Sequence, residues 1–409
     1  MSKKRMMVFF VIILILTNVT TFSLSNTISV GLNSKVVVPK DEYNYLKSTA
    51  EEFSKIKLVE SLIKENYLKD VDEATLREGQ LKGLVASLDD PYSQYLTADE
   101  YTDLTQQTSG EYGGIGVIVT PGEDNLITVV SPIKGTPGER AGLKPEDKII
   151  AVDGKEFLAQ DMDKAVKVMK GKPKTKVVVT ILRKEKDGSN KTFDVDIIRE
   201  NIRLETVNSS VIEGDIGYIN ITSFDELTYK DYMKAFNELE AKDVKGLIID
   251  LRNNPGGLLD VTAEIADELL GEGNIVYTET KTGEKEYYKS KASKTDLPLV
   301  VLVNGGSASA SEILSGAIKD YERGELIGTK TFGKGIVQRI RPLPTNDGSA
   351  IKLTISEYFT PKGTNIHGIG IEPDIEVELP EDIEGIGVEF LKQDTQLQKA
   401  LEVIKGKIK

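Results

Sequence analysis

Gly246-Leu247-Ile248-Ile249-Asp250-Leu251 is an unbroken apolar run that ends in the turn-forming Asn253-Asn254-Pro255-Gly256-Gly257 and passes into Leu258 to Leu270, where apolar residues recur at helical spacing. The same order repeats downstream as a strand over Leu297 to Val303, the loop Asn304-Gly305-Gly306-Ser307 and a helix reaching about Tyr321, with a hairpin-like pair around Lys281-Thr282-Gly283-Glu284 between the two units. Strands that are apolar without alternation, each followed by a helix, predict a parallel or mixed sheet covered on both faces. Both glycine loops then lie at the carboxyl ends of their strands, where open α/β sheets bind ligands.

Upstream the texture changes. From Gly110 to about Arg199 short β-type runs dominate: Ile115 to Val119, Leu126 to Val130, Ile149 to Val152 and Lys176 to Ile181, with one helix over roughly Gln160 to Met169. Residues Asp41 to Leu104 read as helical and polar, with a break at Asp89-Asp90-Pro91. Leu397, Leu401 and Ile404 place a docking helix in the tail. At the start, Lys3-Lys4-Arg5 precedes the apolar run Met6 to Leu16, the layout of a secretory signal or an uncleaved signal-anchor. Its 11 residues are short for a membrane span unless Val19, Phe22 and Leu24 extend it. The expected organisation is a signal or anchor over 1–30, a helical region over 41–105, a β domain over 106–200, an α/β core over 201–380 and a helical tail over 381–409.

Composition narrows the chemistry. The 409 residues include one histidine and no cysteine, so thiol nucleophiles, disulfides, thiolate zinc sites and multi-histidine metal centres are excluded. A net charge of −13 opposes binding nucleic acid through a phosphate-neutralising surface. A serine hydrolase here needs either His367, the only imidazole, or a different base. His367 lies in the glycine-rich stretch Gly363 to Gly370 and reads as structural.

The loop Asn304 to Glu312 offers three serines, Ser307, Ser309 and Ser311, at a helix start whose amide N–H groups lack intrahelical acceptors. Ser309 with Glu312 also fits a capping box, in which the hydroxyl only satisfies an amide. Lys334, in Thr331-Phe332-Gly333-Lys334-Gly335-Ile336-Val337-Gln338, supplies a possible base. With strict alternation Lys334, Ile336, Gln338 and Ile340 share one face, and a lysine buried there becomes a better proton acceptor because desolvation favours its neutral form. Four strand residues span ~13 Å, so Gln338 reaches Lys334 only if the chain near Gly335 bends. Pro255-Gly256-Gly257 can present backbone N–H groups to an oxyanion.

The segments Val303 to Ile313 and Gly328 to Gln338 resemble the catalytic segments of the carboxyl-terminal processing (tail-specific) serine peptidases, in which the lysine follows the serine by 25 residues, as Lys334 follows Ser309. The likeness extends through Leu88-Asp89-Asp90-Pro91-Tyr92-Ser93-Gln94-Tyr95-Leu96, Gly113-Gly114-Ile115-Gly116, Asp250 to Gly257 and Ile366-His367-Gly368-Ile369-Gly370-Ile371-Glu372-Pro373-Asp374, in order. It implies an α+β / α/β multidomain fold: a mixed-sheet ClpP/crotonase-like peptidase core with an inserted PDZ-like β domain and flanking helices. It further implies Ser309 as nucleophile, Lys334 as general base, Gln338 as its orienting residue, and Ala310 with Gly256 or Gly257 as the oxyanion hole. The middle domain resembles a PDZ domain with Gly114, Ile115 and Gly116 as the carboxylate-binding loop. Relatives often carry an arginine where this chain has Lys170-Gly171-Lys172-Pro173, a departure from the pattern.

The expected function is an extracytoplasmic serine endopeptidase, of the bacterial cell envelope, that takes protein substrates by their C-termini. No cofactor or metal, a chain either membrane-anchored or secreted, and self-association as a dimer complete the expectation. The alternatives are a PDZ-based tail-binding scaffold with a silent core, and acyl-thioester chemistry of the crotonase type.

Overall fold

A computed structural model describes residues 2–27, 38–292 and 294–408 of the chain. Residues 1 and 28–30 of the expected signal segment, and residue 409 of the expected tail, lie outside the described residues. The chain divides into two compact units, Met1–Leu81 and Lys82–Lys409. The first holds α1 (Lys3–Thr27), α2 (Lys40–Asn66) and most of α3 (Glu73–Ala86). Within α1, the 19 residues Lys3–Thr21 are long and apolar enough to cross a membrane, so the apolar segment outlasts the expected 11 residues. Helix α2 buries none of its residues, and Tyr43, Leu46, Phe53, Val59 and Leu62 are exposed on it.

The second unit continues with β1 (Gln94–Leu96) and α4 (Ala98–Ser109), then β2 (Glu111–Gly114), β3 (Val117–Pro121), β4 (Ile127–Pro132), α5 (Pro137–Arg140), β5 (Lys148–Val152), β6 (Lys155–Glu156), α6 (Met162–Met169), β7 (Lys176–Lys184), β8 (Asn190–Ile198) and β9 (Glu200–Arg203). Next come β10 (Val207–Ile212), β11 (Ile216–Ile221), α7 (Thr228–Glu240), β12 (Gly246–Asp250), α8 (Leu259–Leu269), β13 (Gly273–Thr280), β14 (Lys285–Ser290) and β15 (Leu299–Val303). The chain closes with α9 (Ala310–Asp320), β16 (Glu325–Gly328), β17 (Ile336–Pro342), β18 (Ala350–Phe359), β19 (Ile375–Glu376) and α10 (Thr395–Lys407).

The unbroken apolar runs become the centre of a sheet ordered β10-β11-β12-β15-β16-β19, parallel throughout except for the antiparallel β10–β11 pair. Both faces are covered, which is why neither strand face is polar. Leu247, Ile249, Val301 and Val303 enter a core shared with residues of α7, α8 and α9, whereas Ile248, Val300 and Leu302 pack with Leu397, Leu401 and Ile404 of α10. The expected docking helix therefore closes the second face. A second sheet runs β1-β18-β13-β14, with β17 also paired to β18. Lys334 precedes β17, which starts at Ile336, so it is not part of the alternating strand; Ile336, Gln338 and Ile340 are more buried than Arg339 and Arg341, and the register shift between Val337 and Gln338 places its extra residue, Ile355, on β18.

The inserted region has its own core, including Ile115, Ile127, Val129, Ile149, Val177 and Ile181, around a sheet ordered β3-β4-β5-β7-β8. The strand expected from Ile115 begins at Val117, because Gly116 turns the chain at φ +70° beside Thr136. Strand β3 is an edge strand, paired only with β4. The ribbon of β2 with β9 pairs the residues that enter and leave this region.

Candidate active site

The loops after β12 and β15 lie against each other and decide which serine is available. Ser307 Oγ donates to Leu251 O (2.8 Å) and accepts from Asn304 N–H (3.0 Å), while Ser311 Oγ donates to Asn254 O (2.9 Å); both residues are fully buried. Those hydroxyls are committed to fastening the two loops. Ser309 is half-buried at the start of α9, with φ 54° and ψ −114°, a conformation that favours glycine. A serine on a strained strand-to-helix turn presents its hydroxyl at the end of the sheet.

Gly256 is pressed against this turn: a Cβ added there would stand 2.9 Å from both Ala310 N and Ser309 Cβ. Its own N–H donates to Asn254 Oδ1 at 2.8 Å. Gly257 differs. A parallel bridge to Phe224 uses the neighbouring Gly256 O and Leu258 N–H, so the exposed Gly257 N–H has no acceptor among the described residues. Ala310 N–H, the first of α9, has none either.

Glu312 does more than cap a helix. Its carboxylate is fully buried and accepts from Ser309 N–H (2.9 Å), Lys334 N–H (2.8 Å), Gly333 N–H (2.7 Å) and the Thr331 hydroxyl (2.6 Å). One anion thus ties the serine loop to the lysine loop, through the short charge-assisted bonds that fix geometry best. From the other side, segment Ile366 to Ile371 runs along the lysine loop: Gly368 N–H donates to Gly333 O, Cβ atoms at Gly333 or Gly335 would strike the segment, and one at Gly370 would strike Thr331.

Lys334 is half-buried. Burial, and after it the charge of Lys352, pushes its ammonium below the usual lysine range, against the opposing pull of Glu312 and Asp90. Its Nζ makes no hydrogen bond to Ser309 or Gln338 and stands 4.8 Å from the centre of the Tyr92 ring. Gln338 Nε2 donates instead to Thr354 Oγ1 at 3.4 Å. Serine and lysine backbones are brought together; the lysine head group and Gln338 are not joined by a hydrogen bond.

Several contributors were not recognised from the sequence. Tyr358, fully buried on β18, donates to Ser309 O at 3.0 Å. Arg252, ahead of the glycine loop, is buried between Asp250 and Asp394, with Nη2 at 2.6 Å and 2.8 Å from them, and Tyr218 also donates to Asp250. That cluster fastens the start of α10 to the end of β12, ahead of the Gly256-Gly257 loop. Burial pushes the Asp394 carboxyl up, but the bonds and charge of Arg252 outweigh it and hold it below the ordinary range. A carboxylate or guanidinium inside an otherwise apolar run, as at Asp250, Arg252 and Glu312, was the available signal, since such groups are buried only when paired. His367 sits in a turn with its ring edge-on to Tyr92, centroids 6.5 Å apart.

In the inserted region Gly114 ends β2, and Ile115 and Gly116 form the buried turn before β3. Their carbonyls are used, Ile115 O by Gly138 N–H and Gly116 O by the Thr136 hydroxyl, but their own N–H groups have no acceptor among the described residues. Two buried, unpaired donors beside an open strand edge suit a terminal carboxylate. Lys170 Nζ lies 5.2 Å from the centre of the Tyr112 ring nearby.

Comparison with known proteins agrees with this architecture. Peptidase family S41 matches residues 215–377, the PDZ domain matches 128–183, and the activating protease CtpB N-terminal domain matches 14–100. The chain is 42% identical over 336 residues to a carboxy-terminal-processing protease of Bartonella bacilliformis, covering 80% of this chain and 75% of that one. It is 38% identical over 382 residues to carboxy-terminal processing protease CtpA of Bacillus subtilis, covering 93% and 78%. A solved structure of a Bacteroides fragilis protein described as an S41 protease shares the fold over 85% of this chain and 97% of that one, with 17% identity and a TM-score of 0.51.

Proposed function

This chain belongs to peptidase family S41, the carboxy-terminal processing serine proteases, and from that premise we propose that Ser309 is its nucleophile and Lys334 its general base. Neutral Lys334 takes the Ser309 hydroxyl proton as Oγ attacks a peptide carbonyl, then returns it to the leaving amine. The oxyanion forms between Ala310 N–H and Gly257 N–H, the two donors without other duties. Water releases the acyl group with Lys334 again accepting the proton. Gln338 reaches the lysine only after leaving Thr354, so its orienting role belongs to the engaged site. The observation that carries this reading is the single buried carboxylate of Glu312, bound to both the Ser309 and the Lys334 backbone.

Ile115 and Gly116 N–H receive the carboxylate of a substrate tail, which pairs along β3. The apolar α1 holds or exports the chain so that the peptidase acts outside the cytoplasm, and the exposed apolar residues of α2 join two copies as a homodimer. The test is cleavage of a protein substrate with an apolar C-terminal tail. Wild type should cleave it and Ser309→Ala and Lys334→Ala should not; unchanged turnover in both variants rejects the assignment. Tail binding in wild type without any cleavage would leave a scaffold.

A further inference from the structure

The turn Asp89 to Ser93 lies against the lysine although it takes no part in the chemistry above. Asp90 accepts from Tyr92 N–H (3.0 Å) and the Ser93 hydroxyl (2.6 Å), and Ser93 Oγ accepts from Thr354 N–H (3.0 Å). Immediately after it, β1 pairs antiparallel with Ala350 to Lys352 of β18. The Tyr92 backbone is therefore anchored to the same strand that pairs with β17, and His367 closes on the ring edge. Lys334 Nζ, which has no hydrogen-bond acceptor among the described residues, stands over the ring face. The face of an aromatic ring carries the negative lobe of its quadrupole, so it attracts an ammonium and is indifferent to a neutral amine.

We propose that the Tyr92 ring is the resting site of the Lys334 ammonium and a positioning residue for the reaction: loss of the proton releases the amine from the ring toward Ser309. This rests on Lys334 being the base. The ring links protonation to position, so that a charged lysine is held off the serine and a neutral one is free to approach it. The charged groups around the amine divide accordingly. Asp90 and Glu312 favour the ammonium as Tyr92 does, Lys352 and burial oppose it, and His367 meets the ring rather than the amine.

The test replaces Tyr92 in the full chain by Phe and by Phe bearing one, two and three ring fluorines, in a His367→Gln background that removes the imidazole. Ring size and burial stay nearly constant while the negative face weakens. The readout is the pH dependence of kcat/KM for cleavage of a tail-bearing protein, which reports ionisations of the free enzyme. Tyr92→Phe should keep the wild-type profile, and the fluorinated series should move its acidic limb stepwise to lower pH, by roughly 0.4 to 1.5 units in all. A merely space-filling ring would leave the limb in place across the series, and that result overturns the proposal. Lys334→Ala, run in parallel, separates the two readings. If it is inactive while the series is flat, only the Tyr92 role fails; if it cleaves normally, the base assignment fails and the Tyr92 role with it.

Discussion

The loop carrying Ser309 and the loop carrying Lys334 share one anchor, the Glu312 carboxylate, yet they are finished in different ways. Around Ser309 most neighbouring groups are tied: Ser307 and Ser311 to the Leu251–Asn254 backbone, Gly256 N–H to Asn254, and the Ser309 carbonyl to Tyr358, leaving the Ala310 and Gly257 N–H groups without an acceptor among the described residues. Around Lys334 only the backbone is tied, and the ammonium rests on an aromatic face. On the proposed mechanism the donors for the oxyanion cost no reorganisation at the moment of reaction, which is where preorganised dipoles are worth most. On the same mechanism the base has to be mobile, since it takes a proton from one atom and gives it to another.

Removing either reacting group should have the largest effect. Ser309→Ala and Lys334→Ala should each lower kcat/KM by on the order of a thousandfold or more, with unchanged melting temperature for Ser309→Ala, measured by peptide cleavage and calorimetry. Glu312→Gln attacks the shared anchor. The amide turns donors toward N–H groups that need an acceptor, each buried mismatch costing about 1–3 kcal/mol, so both kcat and melting temperature should fall, with activity down by roughly a hundredfold. Retained activity in this variant would mean that the two loops hold their places without the carboxylate.

A pH profile sharpens the same contrast. As the proposed base Lys334 must be neutral to act, so kcat/KM should rise with pH to a plateau. Burial and Lys352 lower its pKa, and the midpoint should therefore fall below the ~10.4 of an exposed lysine. Substituting Lys352→Gln removes one lowering cause and should move that midpoint upward. Smaller still, Tyr358→Phe removes one hydrogen bond to the Ser309 carbonyl, worth about 1 kcal/mol, and should cost about fivefold in kcat. Least of all, His367→Gln should keep kcat/KM within about twofold, since the imidazole meets the Tyr92 ring and makes no hydrogen bond to Ser309 or Lys334. Loss of activity in that variant with the fold intact would point to a histidine base.

What could be read from the sequence follows the same division. The βαβ units were legible because apolar runs and glycine loops are local patterns, and Leu397, Leu401 and Ile404 marked α10 by spacing alone. Among the three serines only the resemblance, through the family's serine-to-lysine separation, points to Ser309; in the structure Ser307 and Ser311 are buried and already bonded. The choice between Gly256 and Gly257 needed to know where Asn254 directs its side chain. Glu312 read as a capping residue because its first partner, Ser309, is three residues away, whereas its partners at Thr331, Gly333 and Lys334 belong to another loop. Arg252 and Asp394 meet across 142 residues, and no periodicity encodes such a contact. The alternation of Ile336, Gln338 and Ile340 was legible, but Lys334 lies ahead of the strand and Gln338 is bonded to Thr354, a partner 16 residues away that spacing within β17 does not reveal.

The central claim is that Ser309 is activated by Lys334. The most direct measurement is labelling of the full-length protein with a fluorophosphonate, followed by mass spectrometry of the modified peptide and the labelling rate against pH. The account predicts an adduct on Ser309 in wild type, a rate that rises as Lys334 loses its proton, and slow, pH-independent labelling in Lys334→Ala. An adduct on another residue, or wild-type labelling of Ser309 without Lys334, would contradict it.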